Sequence, residues 1–349
     1  MVKKRLGSMN WMARNMQKYF EDQGYEIVNL NKYVPWKHPD WKADFEGLVK
    51  EAKTCDIISI PKGFHYKKHQ LEREMIRDIK KPGNAWVFYH NLDIPNKYEN
   101  ALTWEGLLKY YRDFWLEADL VCFPYLQAVD MAKEHGLNAH IIHPGYDPAF
   151  DSDLNNPLYS NSVDITICGK CYSTRSEFPR SIMAKRLIDE GFSIKLWGWF
   201  WLDTVIREEE CGHLVGGDPS LKNYFFGDLG GRNAGPGNIT QGLTSGKITI
   251  SSHLLSGLEE YTNGRMYEAM GLGKCLFSDE NPGMENVGFK DGENLVFYHS
   301  LDELVEKAHY YLAHENRRNE IGRKARELIL SKHTQYMRGE YLYSFYNGK

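Results

Sequence analysis

The sequence predicts an α/β protein with two doubly wound, parallel-sheet domains. Three observations lead there. Its 349 residues suit two medium domains better than one. In both halves short apolar runs alternate with helix-period segments, the βαβ rhythm of a doubly wound sheet. Between the halves, residues 147–161 hold Pro148, Asp151, Ser152, Asp153, Asn155, Asn156, Pro157 and Ser160 without any period, and read as a linker.

In the first half, Met9, Met12, Met16, Tyr19 and Phe20 share one helical face. Gly24 stops that helix and residues 25–30 follow as a strand. Residues 56–60, 85–89, 120–123 and 140–143 are short apolar runs bounded by turn residues, as expected of strands buried on both faces. An opening strand could only be residues 2–6, where Lys3, Lys4 and Arg5 break the apolar run. It is expected to be short, at an edge or missing, which leaves a glycine-rich acceptor loop near Gly7 without support.

The second half begins with a strand at 163–167 and continues with strands at 192–196, 247–250, 274–277 and 294–297. Helices at 301–313 and 317–330 follow, and a last helical piece runs over 335–346. Residues 212–245, rich in Gly, Asp and Asn, show no period and read as a variable loop.

The net charge of -4 carries no general nucleic-acid signal. No run approaches the roughly 18 apolar residues of a membrane span. The charged start, Met1 to Ser8, has no apolar segment behind it, so no secretory signal is expected. Six cysteines without framework spacing fit a reducing compartment, and a cytoplasmic location is the expectation. The tyrosines and tryptophans suit sugar stacking but first of all a core.

The chemistry concentrates around Glu260 and Glu268. Between them lies a small-residue turn with Thr262, Asn263, Gly264 and Arg265, and a helix follows. Backbone N–H groups at such a helix start can bind a pyrophosphate. Glu268, one turn in, can accept from ribose hydroxyls, and Glu260 would lie beside the sugar ring. The loop after the first strand of this half, Cys168 to Arg175, offers Lys170 and Arg175, with Arg180 at the next helix start. Cations there would offset the charge of a diphosphate. Cys168 and Cys171 could form half of a zinc site with Cys211 and His213, but that second pair is too tightly spaced. In the first half, His65 and Asp93 each follow a strand, where a base for an acceptor hydroxyl would stand. The basic run from Lys62 to Lys81 is either an anionic-acceptor patch or a solvated helix face.

Four segments carry a family resemblance: Arg265-Met-Tyr-Glu268-Ala-Met-Gly-Leu-Gly273, Asp291-Gly-Glu-Asn-Leu-Val296, Ser300-Leu-Asp-Glu-Leu304 and His333-Thr-Gln-Tyr-Met-Arg338. In order and spacing they resemble the two-domain Rossmann-like glycosyltransferases called GT-B. Within these they look most like the CgeB-like (spore maturation protein) group. Asp93-Ile-Pro95 and Gly145-Tyr-Asp-Pro-Ala-Phe150 match in the N-terminal half. The resemblance implies an acceptor domain over 1–150, a nucleotide-sugar domain over 151–332, and a helix over 333–349 returning to the first domain. It implies a cleft between the domains, and transfer of a sugar from a nucleoside diphosphate sugar, UDP-sugar foremost, to a hydroxyl. Retention, independence from metal and absence of a cofactor follow from the same resemblance. The acceptor stays open among a glycan, a lipid head, a protein or a modified nucleic acid. Alternatives are a sugar-nucleotide 2-epimerase, which has a similar two-domain build, and a non-catalytic binding subunit.

Overall fold

The computed structural model describes residues 4–8, 14–33, 44–61, 73–81, 85–90, 101–111, 113–153, 161–171, 179–198, 201–202, 218–227, 236–253 and 255–348. The chain divides into two compact units, Met1–Pro144 with Gln335–Lys349, and Gly145–Thr334.

The first unit is built on a parallel sheet of strands β1 (Lys4–Ser8), β2 (Tyr25–Asn29), β3 (Ile57–Pro61), β4 (Trp86–His90), β5 (Leu120–Phe123) and β6 (Ala139–Ile141), in the order β2-β1-β3-β4-β5-β6. Helices α1 (Arg14–Asp22), α2 (Phe45–Ala52), α3 (Arg73–Lys80), α4 (Trp104–Tyr111) and α5 (Leu126–Glu134) lie between the strands in sequence. The opening strand is short, one of the three outcomes expected, and it sits inside the sheet between β2 and β3. Its charges are confined to its start. Lys4 is exposed, and Arg5 bonds Thr54 and reaches Glu51 at 3.3 Å. Leu6, Gly7 and Ser8 carry the buried part.

The C-terminal helix, Gln335–Asn347, belongs to this unit. Its Tyr343 ring stands edge-on to Tyr19, Phe20 and Tyr25 at 5.8, 5.8 and 5.9 Å, and Tyr346 lies 5.6 Å from Trp86. Such pairs each contribute about 0.5–1.5 kcal/mol beyond area burial. The described part of the basic run is a neutralised helix face. Arg73 and Arg77 share Glu117 Oε1 at 2.6 and 2.8 Å, Lys80 meets Asp119 at 2.9 Å, and Lys81 meets Asp78 at 2.6 Å. Lys62, Lys67 and Lys68 lie outside the described residues.

The second unit holds β7 (Val163–Cys168), β8 (Ile194–Trp197), β9 (Phe225–Gly227), β10 (Gly246–Ser251), β11 (Cys275–Ser278) and β12 (Val296–Phe297), all parallel, in the order β12-β11-β10-β7-β8-β9. Its helices are α6 (Arg180–Asp189), α7 (Pro236–Thr244), α8 (Gly264–Gly271), α9 (Leu301–Ala313) and α10 (Glu315–Lys332). Alternate strand residues feed two apolar layers, one on each face of the sheet. Ile165, Ile167, Ile248 and Ile250 pack with Met183, Leu187, Leu304 and Ala308; Leu276 and Phe297 pack with Met266, Met270, Ala325 and Ile329. Strand β9 and helix α7 lie in the stretch read from sequence as loop.

The expected linker is partly docked. Pro148–Asp153 forms a short 3-10 helix, and Asp151 accepts from Tyr146 Oη at 2.6 Å and pairs with Arg326 at 2.9 Å. Tyr146 N–H donates to the His333 carbonyl at 2.8 Å, so the chain enters and leaves this unit side by side. Among the described residues, no helix is long and apolar enough to cross a membrane.

Candidate functional site

In the second unit the strand order reverses at β7. The chain moves outward through β8 and β9, then returns to the other side of β7 with β10, β11 and β12. Open α/β sheets bind ligands beyond the C-terminal strand ends at such a reversal. Residues 169–171 leave β7 there, and residues 252–263 leave β10.

Arg180, nearly buried at the start of α6, joins these two loops. It donates Nη1 to the Lys170 carbonyl at 2.6 Å, Nη2 to the Ser252 carbonyl at 2.7 Å and Nε to Ser252 Oγ at 3.1 Å. Gly169, with φ of 142°, makes room: a Cβ there would stand 2.6 Å from Arg180 Nη1.

Glu260 is held in an uncommon backbone state. Its φ of 59° is the one positive value among the described non-glycine residues, a conformation costing roughly 1–2 kcal/mol. Its N–H donates to the Pro282 carbonyl at 2.7 Å, and Asn286 Nδ2 donates to its Oε1 at 3.0 Å. Gly283 fits against it, since a Cβ there would lie 2.9 Å from Glu260 Cγ. Asn281, fully buried, braces the turn by accepting from Gly257 N at 2.8 Å and donating to the Tyr261 carbonyl at 3.2 Å. Strain persists only where surroundings impose it, and it gathers at functional sites.

The start of α8 follows. Asn263 caps it, its Oδ1 accepting from Arg265 N and from Ser251 Oγ, both at 3.1 Å. Gly264 is exposed, and open space lies where its Cβ would be. The helix N-terminus, with its outward N–H groups, can therefore be approached by an anion. Glu268, one turn in, is ion-paired with Arg265. The Thr262 hydroxyl lies 2.9 Å from Tyr267 Oη, within hydrogen-bond distance.

Sequence reasoning missed a buried pair beside this turn. Asp279 Oδ1 accepts from His253 N at 2.8 Å and lies 3.0 Å from His253 Nδ1. Burial opposes the Asp279 charge, yet the contacts from His253 hold its carboxyl below the usual range. His253 Nε2, Asp279 Oδ2, Asn263 Nδ2 and Ser256 Oγ are buried and have no hydrogen-bond partner among the described residues. All four belong to residues of the loop leaving β10, the cap of α8 and the end of β11, and buried polar atoms of this kind call for a polar partner. In the first unit, His90 was missed as well. It ends β4, its Nε2 lies 3.3 Å from Ser59 Oγ, and burial pushes its pKa down to about 4.

His65, Asp93 and Arg175 lie outside the described residues, as do Cys211 and His213. Cys168 and Cys171 are thiols outside any disulfide, and burial pushes them up to about 12 and about 11. Among the described residues no cluster of three or more His, Cys, Asp or Glu could hold a metal. Asp151-Ser-Asp153, an Asp-x-Asp spacing inside the expected linker, has its first carboxylate committed to Arg326 and Tyr146.

Residues 180–344, which contain every element from α6 to most of the C-terminal helix, match a family model described as glycosyl transferase-like. The chain has the GT-B fold, and this stretch of it is similar to the glycosyl transferase-like family. HepE from Anabaena, solved with UDP-glucose, superposes with a TM-score of 0.59 at 13% identity, covering 99% of this chain and 100% of that one. Sucrose-phosphate synthase from Thermosynechococcus elongatus gives 0.59 at 11%, covering 99% of each. A glycosyltransferase from Rickettsia africae gives 0.60 at 12%, covering 100% of this chain and 99% of that one. At these identities the likeness is one of GT-B architecture. A search of curated protein sequences finds no match.

Proposed function

We propose that the protein moves a sugar from a UDP-sugar to an acceptor hydroxyl, with retention and without a metal ion, as a member of the CgeB-like group. The observation that carries this reading is the pair Glu260 and Glu268 bracketing an approachable helix start at the sheet's reversal point. The α8 N–H groups at Gly264 and Arg265 receive the diphosphate. Glu268 accepts from the ribose. Glu260 faces the transferred sugar. Lys170 and Arg175 meet the charge that grows on the leaving diphosphate, and Arg180 sets the loop that presents Lys170. His65 and Asp93 serve the acceptor hydroxyl. Support comes from HepE, a protein of like fold solved with UDP and glucose.

Thermal-shift screening against UDP-, GDP-, TDP- and ADP-sugars tests the reading. A donor at 100 times its Kd stabilises the fold by about 2.7 kcal/mol. A shift with UDP-sugars, followed by release of UDP on adding acceptor alcohols, is the expected result. No shift with any of the four classes would remove the nucleotide-sugar assignment.

A further inference from the structure

We infer that His253 reads the donor sugar: its Nε2 accepts a hydrogen bond from a hydroxyl of the transferred hexose, and Asp279 fixes it in the tautomer that can do so. This rests on the donor-site reading above and assigns a specificity residue within it.

The observations are independent of the two glutamates. The His253 side chain is 0% exposed and that of Asp279 4% exposed. Asp279 Oδ1 accepts from both the backbone N–H and Nδ1 of His253. A carboxylate at Nδ1 places the imidazole proton there, so in the neutral ring Nε2 is left as an acceptor. That atom is buried and has no partner among the described residues. Leaving it so carries a desolvation cost that a merely structural pair could avoid with an apolar ring.

The location points to the sugar. His253 lies two residues beyond β10 and Asp279 one beyond β11, and Ser251 and Ser278 at those strand ends are register partners. The His253 ring meets Tyr261 edge-on at 5.5 Å, and Tyr261 directly follows Glu260. The segment after Asp279 runs on through Asn281 and Pro282 to Gly283, the residues that hold Glu260. One short polypeptide frame thus carries the imidazole, its carboxylate and the strained acid. A site that hydrogen-bonds a hydroxyl through a buried group discriminates strongly against an analogue lacking it.

The test compares a nucleotide with its sugar conjugate. Wild-type protein, His253→Phe and His253→Gln are titrated calorimetrically with UDP, UDP-glucose, UDP-galactose and UDP-N-acetylglucosamine. UDP affinity reports whether the site is folded and the donor reading sound. The expected result is unchanged UDP affinity in both variants. With the sugar nucleotide that wild type prefers, His253→Phe should bind about ten-fold or more weakly, the cost of an unmade buried hydrogen bond. His253→Gln, whose amide oxygen can replace Nε2, should recover part of it. Equal losses for UDP and for the conjugate would overturn the proposal and make the pair structural. An unchanged preference in folded His253→Phe would overturn it too. Failure of wild type to bind UDP or any conjugate would instead defeat the donor reading.

Discussion

Arg180 and Ser252 are bound twice, Nη2 to the carbonyl at 2.7 Å and Nε to the hydroxyl at 3.1 Å, so the residue that opens α6 fastens the loop leaving β10. The same guanidinium holds the Lys170 carbonyl, and the two loops at the reversal point thereby share one clasp.

Arg180→Ala should therefore act on stability as well as chemistry. It strands two carbonyls and a hydroxyl, each costing about 1–3 kcal/mol where water cannot replace the donor. The expected outcome is a clearly lowered Tm with lost donor binding. Lys170→Ala should keep the Tm and lower turnover more than donor affinity, since the leaving-group charge grows in the transition state. Calorimetry and single-turnover kinetics on the two variants separate these effects.

Glu268→Ala should weaken donor binding by about ten-fold or more, because hydrogen bonds to a charged group contribute roughly 1.5–3 kcal/mol. Isothermal titration measures this. It would also release Arg265 from its ion pair, and Glu268→Gln separates loss of charge from loss of hydrogen bonding.

Glu260 offers a test of strain against chemistry. At a φ of 59°, glycine is relaxed and alanine is not. Glu260→Gly should be more stable than Glu260→Ala by about 1 kcal/mol. Both should lose turnover equally, since both lack the carboxylate. Equal stabilities in denaturant titrations would show that the turn relaxes when the side chain is removed.

His90 gives the fold a pH dependence of definite sign. Its folded pKa of about 4 lies below the ordinary value of 6.5, so the unfolded chain binds a proton that the folded chain refuses. Stability should fall as pH drops from 6.5 toward 4, by on the order of 3 kcal/mol from this group. His90→Gln should flatten that part of the profile in urea titrations at stepped pH.

Much of the architecture was legible because buried strands in parallel sheets are short apolar runs, as residues 120–123 and 163–167 illustrate. The interior place of the opening strand was not, because Lys4 and Arg5 sit where the strand is still outside the core, Lys4 exposed and Arg5 on Thr54 and Glu51. Helix α7 was missed because Pro236-Gly-Asn-Ile-Thr-Gln-Gly-Leu-Thr244 carries a proline and two glycines and no clear apolar stripe. At the candidate site, Glu260 and Glu268 stand in one local pattern, so sequence alone can nominate them. His253 and Asp279 come together only because β10 and β11 are neighbours, a relation without a local trace in sequence.

The tie between Tyr146 and His333 has a consequence for synthesis. The second unit is an insertion that starts and finishes at one spot, so it can mature as soon as Thr334 has left the ribosome. The first unit cannot. Its Tyr19, Phe20, Tyr25 and Trp86 wait for Tyr343 and Tyr346, which are made only after the whole second unit. The nascent chain thus carries an uncovered aromatic face for as long as the second unit is being made. A transcript cut shortly after Thr334 should yield a sound second unit attached to a sticky first one, and such fragments should collect in the insoluble fraction.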